Sequence, residues 1–415
     1  MLSLKSIKEY ITQLSHYFSA SLIPMLLNLL INPLVAINMD PEDFAITGYY
    51  TSFSTLIGPI IAFYMLHYYN KRYFELDEEG REQLRRLLYK SLIFFSFGVT
   101  LICLILLYAY IVFIANVEFG TFPYLYLAVM SIPFTGIYNL ELADYKMKRE
   151  SKPYLRLSLI RGVGGVVLVL LFVVMLKFGA TGKLLASLLI EMLVFGYILC
   201  KHWDIWSVRT PAKELLPVLK FCWPLALGAA LGYFSNGYDK AVLESLGDID
   251  EFGYYCVGGS IAAYLGVFTS SISATFQPDT YEAIILDNRP KLFRVVAVRI
   301  GLTVVVIMTF ILLCPLIVKI LTAGKYMAAV PYARISSFVA LTSSLYYIIN
   351  DYSIARGKPH LYLITTILGG ITMIVIMPIC VSHFSYSGGA IMNVMSYVIL
   401  FVINCILLLL SKLRR

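Results

Sequence analysis

Charge is scarce in this sequence. Only 14% of its 415 residues are Asp, Glu, Lys or Arg, and 59% are hydrophobic, whereas soluble domains carry roughly 25% charged residues. That deficit excludes an ordinary soluble domain. Metal-binding and disulfide signatures are missing as well. The seven cysteines form no CxxC pair, and His16, His67, His202, His360 and His383 show no i, i+4 pairing. All seven cysteines fall in or beside apolar stretches, where a thiol acts as a small hydrophobe. The start of the chain lacks the short apolar core and small-residue site of a cleavable signal. Residues 2–13 read instead as an amphipathic lead-in on a membrane surface.

Long apolar runs are what the sequence has in abundance. Leu92–Ala115, Gly162–Phe178, Val295–Val318 and Ile391–Leu410 are examples, of the ~20-residue scale needed to cross ~30 Å of hydrocarbon. The pattern predicts an all-α membrane protein of about twelve transmembrane helices. They are expected near 15–37, 44–67, 91–115, 122–144, 158–178, 182–200, 216–237, 253–276, 295–318, 331–351, 360–381 and 389–410. Of the 33 basic residues, 26 fall in the N-terminal segment, alternate loops and the C-terminal segment. The positive-inside rule makes that side, and both termini, cytoplasmic. The net charge of +8 is then loop charge that sets topology, and no nucleic acid is implied. Within the loop Phe74–Lys90, Asp77/Arg81 and Glu82/Arg86 have the i, i+4 spacing of an exposed, wet helix.

An internal repeat runs through the chain at an offset of 205 or 206 residues. Gly48-Tyr49-Tyr50 returns as Gly253-Tyr254-Tyr255, Lys152-Pro153 as Lys358-Pro359, and Gly164-Gly165 as Gly369-Gly370; Phe178 and Gly182 return as Phe384 and Gly388. Six spans per copy give both copies the same orientation, related by an axis along the membrane normal. The expected organisation is a six-helix bundle over 1–200, a cytoplasmic linker over 201–215 and a second six-helix bundle over 216–415, enclosing a V-shaped polar cavity. Prolines 24 and 33 in span 1 and Pro224 in span 7 make those two spans candidate gate helices.

Polar side chains inside apolar spans are the candidate functional residues, because an intramembrane charge costs ~2.5–3.5 kcal/mol on insertion scales. Span 1 holds Asn28 and Asn32, and span 7 ends in Asn236, Tyr238, Asp239 and Lys240, then Glu244. Glu191 lies deep in span 6, between Ile190 and Met192. Glu141, Asp144, Arg161 and Asp351 lie near span ends, where snorkelling is the simpler account. Asp239-Lys240 also reads as a local ion pair. Asp248-Ile249-Asp250 offers the Asp-x-Asp that a polytopic glycosyltransferase or polymerase uses with metal, but no outer loop exceeds about fifteen residues.

The stretch 221–282 resembles the seventh-to-eighth helix region of bacterial polysaccharide and O-antigen flippases, of the multidrug/oligosaccharidyl-lipid/polysaccharide exporter superfamily. The matching features are Pro224, Asp239-Lys240, Gly253–Tyr255 and Pro278–Tyr281. Leu321, Gly324 and Tyr326, the segment before His360, and the turn FSYSGGAI around Ser385 and Tyr386 continue the resemblance. It implies a transporter rather than an enzyme, in the bacterial inner membrane, with no resident cofactor. The implied cargo is a polyprenyl-diphosphate-linked oligosaccharide among membrane lipids, with a polysaccharide polymerase and glycosyltransferases as partners. On that resemblance Lys240, with Arg161, would meet phosphate. Asn28, Asn32, Tyr49, Asn236 and Tyr238 would meet sugar, and Glu191 or Asp239 would couple a proton or sodium gradient. Span 1 carries no arginine, so of the basic cavity residues of related lipid II flippases only Lys240 carries over. A cation-coupled drug exporter of the same superfamily fits the same features. A major-facilitator symporter does not, since its basic loop motif between spans 2 and 3 is missing.

Overall fold

A computed structural model describes residues 4–73, 75–115, 117, 119–203, 206, 212–356, 358 and 360–413. Every long element among them is a helix: α1 Leu4–Asn38, α2 Pro41–Ala62, α3 Met65–Arg72, α4 Glu78–Tyr110, α5 Tyr124–Met130, α6 Ile132–Met147, α7 Ser151–Val169, α8 Gly179–Lys201, α9 Ala212–Leu231, α10 Tyr233–Asn236, α11 Tyr238–Glu244, α12 Ile249–Ala263, α13 Leu265–Ile285, α14 Arg289–Leu321, α15 Val330–Ser337, α16 Val339–Ala355 and α17 His360–Leu413. Nine helical stretches among the described residues are long and apolar enough to cross a membrane. The last of them, His360–Ser411, contains two of the twelve expected spans, parted at Ser385, where φ is 50° and ψ −138°. The expected spans 44–67 and 331–351 are not among the nine. Both stretches are rich in Ser, Thr and Tyr.

Residues 4–13 of the expected lead-in form the first turns of α1. Two local expectations are corrected. Span 2 does not continue to 67. Phe63 and Tyr64 both adopt positive φ and separate α2 from α3, a conformation that costs an L-residue ~1–2 kcal/mol. The freed Tyr64 carbonyl accepts from the His67 amide at 3.0 Å and from the Cys222 thiol at 3.6 Å. The charged segment before span 3 is not a free-standing wet helix but the first turns of the 33-residue α4. Asp77 does not pair with Arg81; it caps α4 by accepting from the Gly80 amide, while Arg81 donates to the Tyr73 carbonyl. Glu82 and Arg86 do pair, at 3.0 Å.

The chain separates into two compact units. One comprises Met1–Met39 and Phe53–Ala230, the other Asp40–Ser52 and Leu231–Arg415. The apolar core of the first gathers Met65, Leu88, Leu92, Ile137, Leu140, Val194 and Val218 from α3, α4, α6, α8 and α9. Small residues allow helices in membranes to approach closely, and the repeated glycines do this here. Gly182 and Gly388 follow the turns that open the sixth helix of each repeat. A Cβ on either would come within 3.0 Å of a carbonyl oxygen, that of Phe172 or of Cys380. In the second unit the two Gly-Tyr-Tyr copies pack together. A Cβ on Gly253 would meet the Pro41 carbonyl, and one on Gly48 would meet the Cys256 sulfur.

Candidate functional site

The last turns of span 7 are broken into α10 and α11 by Gly232 and Gly237, and this break sets the polar side chains of the second unit. Asp239 is 1% exposed. Its Oδ2 accepts from the Tyr255 hydroxyl and from Asn393 Nδ2 at 2.9 Å, and Lys240 Nζ lies 3.8 Å away. Its Oδ1 and the Oδ1 of Asn393 have no hydrogen-bond partner. A buried carboxylate with one unmatched oxygen costs free energy unless a cation or proton meets it. Lys240 is partly exposed, with 24% of its side chain accessible, while its neighbour Asp239 is buried. Asn236 is exposed and accepts from the Tyr397 hydroxyl at 2.7 Å. Tyr238 packs edge-on against Phe234 and Tyr233.

In the first unit Arg161 and Glu191, 30 residues apart, form an ion pair. Arg161 Nε donates to Glu191 Oε1 at 2.7 Å, and the guanidinium lies 4.4 Å over the Tyr138 ring. The expected phosphate ligand and the expected coupling acid are therefore partners. Glu191 is buried, Arg161 is half-exposed, and Glu191 Oε2 is unpartnered. Asn28 is exposed and donates to the Pro24 carbonyl one turn back, at 2.8 Å. Asn32 is half-buried on the same helix. Pro24 abuts Gly162, where a Cβ would lie 2.5 Å from the proline ring, so α1 packs on α7 beside Arg161. Tyr49 belongs to the second unit and is wholly buried against Tyr50.

Glu141, Asp144 and Asp351 do not snorkel. Glu141 is 0% and Asp144 1% exposed, and each is met by protein. Glu141 accepts from Lys201 at 2.9 Å, from His202 Nε2 at 3.0 Å and from the Tyr89 hydroxyl. Arg85 Nη1 donates to His202 Nδ1 at 2.8 Å. A guanidinium can only donate, so Nδ1 is the acceptor and Nε2 carries the proton directed at Glu141. Arg85 also pairs with Glu82 at 2.5 Å. Asp144 accepts from Lys148 at 2.8 Å and from Tyr69, whose phenol is held well above its usual range by burial and by the Asp144 carboxylate. Sequence reasoning missed Arg85, His202, Tyr255 and Asn393. Only Tyr255 carried a signal, as the last residue of the repeated Gly-Tyr-Tyr. Asp248 serves as the N-cap of α12, accepting from the Glu251 amide at 3.0 Å, and its own carbonyl accepts from the Tyr386 hydroxyl.

The family described as polysaccharide biosynthesis protein matches residues 13–278, more than half of the chain. An inward-facing multidrug resistance MATE family transporter of the MOP superfamily shares the fold with TM-score 0.71 at 15% identity, over 96% of this chain and 99% of that one. The lipid II flippase MurJ, in an inward closed conformation, does so with TM-score 0.69 at 14% identity, over 94% and 86%. A MOP superfamily transporter from Pyrococcus furiosus, described as having a binding pocket of reverse polarity, gives 0.61 at 15% identity, over 98% and 96%. No curated protein sequence matches. At these identities the likeness shows a shared fold, that of MOP superfamily transporters.

Proposed function

The chain belongs to the polysaccharide biosynthesis protein family, and we propose that it flips a polyprenyl-diphosphate-linked oligosaccharide from the cytoplasmic to the periplasmic leaflet of a bacterial inner membrane. The family membership carries this reading, and the fold shared with a lipid II flippase supports it. The cargo is an O-antigen, capsule or exopolysaccharide repeat unit, made by glycosyltransferases and passed to a polymerase. The mechanism is alternating access, with both termini cytoplasmic and the organisation 1–200, 201–215 and 216–415. Lys240 meets phosphate charge, since its side chain is partly accessible while its partner acid is buried. Arg161 assists through the face left open by Glu191. Asn28, Asn32, Asn236 and Tyr238 offer amides and a ring to sugar, and Tyr49 joins them only in a state that uncovers it.

Coupling falls to Asp239 or Glu191. Each is buried and keeps one carboxylate oxygen without a partner, which leaves that oxygen open to a proton or sodium ion. The fold shared with a multidrug MATE transporter favours a second reading, cation-coupled export of a small molecule.

The test is deletion of the protein, followed by assay of the leaflet on which lipid-linked glycan collects. Accumulation on the cytoplasmic leaflet is expected. Unchanged glycan distribution with a gain of drug sensitivity would favour the second reading. The Lys240→Ala variant is expected to abolish export at normal protein level, and full export would remove Lys240 from the mechanism.

A further inference from the structure

The repeat leaves a matched pair of basic cavities, one in each unit, that the transport reading does not use. In the first unit a cavity of about 250 Å³ is lined by Tyr145, Lys152, Arg156, Tyr197 and Lys201. In the second a cavity of about 550 Å³ is lined by Asp287, Arg289, Tyr352, Arg356, Lys358 and Leu408. Tyr145 and Tyr352 stand 207 residues apart, Lys152 and Lys358 206 apart, and Lys201 and Leu408 207 apart. The first cavity thus forms at the junction of the fourth, fifth and sixth helices of its repeat; the second uses the equivalent positions at the end of its fourth helix, in the turn before its fifth and on its sixth, and is closed by the end of α13 and the start of α14.

The charge balance of the two is the same although most of the residues differ. In the first, Lys201 is engaged by Glu141. Lys152 and Arg156 are exposed and make no ion pair among the described residues. In the second, Arg356 pairs with Asp287 at 2.5 Å and lies 5.5 Å over the Tyr352 ring. Lys358 donates to Ser411 Oγ at 2.7 Å, and Arg289 is exposed without an ion pair among the described residues. Each hollow therefore keeps two uncompensated cations beside a tyrosine. Two unmatched cations held in a concavity repel each other unless an anion joins them, and phosphate is the anion whose several oxygens suit Lys and Arg together.

We propose that each cavity binds the phosphate of an anionic phospholipid headgroup. A lipid source is favoured over free phosphate by position. Lys201 ends one membrane-length helix, Arg289 begins another, and Leu408 lies near the end of a third. Apolar side chains stand exposed beside the cations: Tyr197 in the first unit, and Ile285, Leu286 and Phe293 in the second. Basic hollows at that depth, flanked by apolar surface, suit a headgroup with its acyl chains in the bilayer.

The test is native mass spectrometry of the full chain titrated with phosphatidylglycerol, with phosphatidylcholine as the zwitterionic control. Two saturable phosphatidylglycerol molecules are expected. The Lys152→Gln/Arg156→Gln pair should weaken one, and Arg289→Gln/Lys358→Gln the other, by about fivefold per cation removed. Inorganic phosphate should compete at both. The charge-conserving variant Lys152→Arg/Arg156→Lys should retain binding, which separates lost recognition from lost folding. Removing two charges elsewhere, as Lys177→Gln/Lys319→Gln, should change nothing. An unchanged count in a variant carrying both Gln pairs together, or an equal loss from the Lys177/Lys319 control, overturns the proposal. Phosphate binding without lipid retention overturns the lipid source. Glycan export does not enter this readout, so its failure leaves the transport reading intact.

Discussion

The two units bury an acid at equivalent places, the end of the fourth helix of each repeat, and treat it differently. In the first, Asp144 and Glu141 sit in a network with Lys148, Lys201, His202, Tyr69 and Tyr89, and Arg85 in that network has a second acid in Glu82. In the second, Asp351 faces Arg299, which is 1% exposed, at 3.4 Å. Arg299 also donates to Ser273 at 3.0 Å, and its Nε is unpartnered. Depth of burial alone would rank Glu141 as the costlier residue to lose. Redundancy of partners reverses that order.

The largest expected effect is therefore in the second unit. Asp351→Asn leaves a wholly buried guanidinium unneutralised and should cost about 3–5 kcal/mol, read as a fall in thermal unfolding temperature in detergent. Replacing the pair together, as Arg299→Met/Asp351→Leu, should recover most of that loss, because the desolvation penalty of both charges disappears. Failure to recover would mean the pair is needed for more than charge balance. Glu141→Gln should cost less, about 1–3 kcal/mol. Arg85 keeps Glu82, Lys201 is 38% exposed and can turn to water, and His202 is able to stay neutral. A Glu141→Gln loss exceeding that of Asp351→Asn would break the comparison.

The smallest effect concerns a turn. Gly179 and Ser385 occupy the same place in the repeat, 206 residues apart, with φ of 52° and 50°. Glycine adopts that conformation freely and serine does not. Ser385→Gly should raise stability by about 1 kcal/mol, and Gly179→Ser should lower it by a similar amount. No change in unfolding temperature for either would show that the turn carries no strain.

Much of this architecture was legible in the sequence because hydropathy and repetition are local or evenly spaced signals. The glycines at 182 and 388 recur because each is pressed against a carbonyl in its own turn. The break at Phe63–Tyr64 was not legible, since two aromatic residues carry no turn signal. The burial of Arg85 was hidden for another reason. Composition treats a charge-rich segment as wet, and only the return of His202 and Glu141, 117 and 56 residues further along the chain, encloses it. The Arg161–Glu191 pair is hidden for a related reason: each residue stands out in the sequence, but their partnership depends on how α7 packs on α8.

His202 is the residue that ends α8, immediately before the connection toward α9. Its ring is held from both sides, by Arg85 on α4 and by Glu141 on α6. The exit of the chain from this helix is therefore clasped. Unwinding the last turn of α8 would therefore require the ring to give up both partners. Cutting the clasp, as in His202→Ala, would leave that turn free to fray.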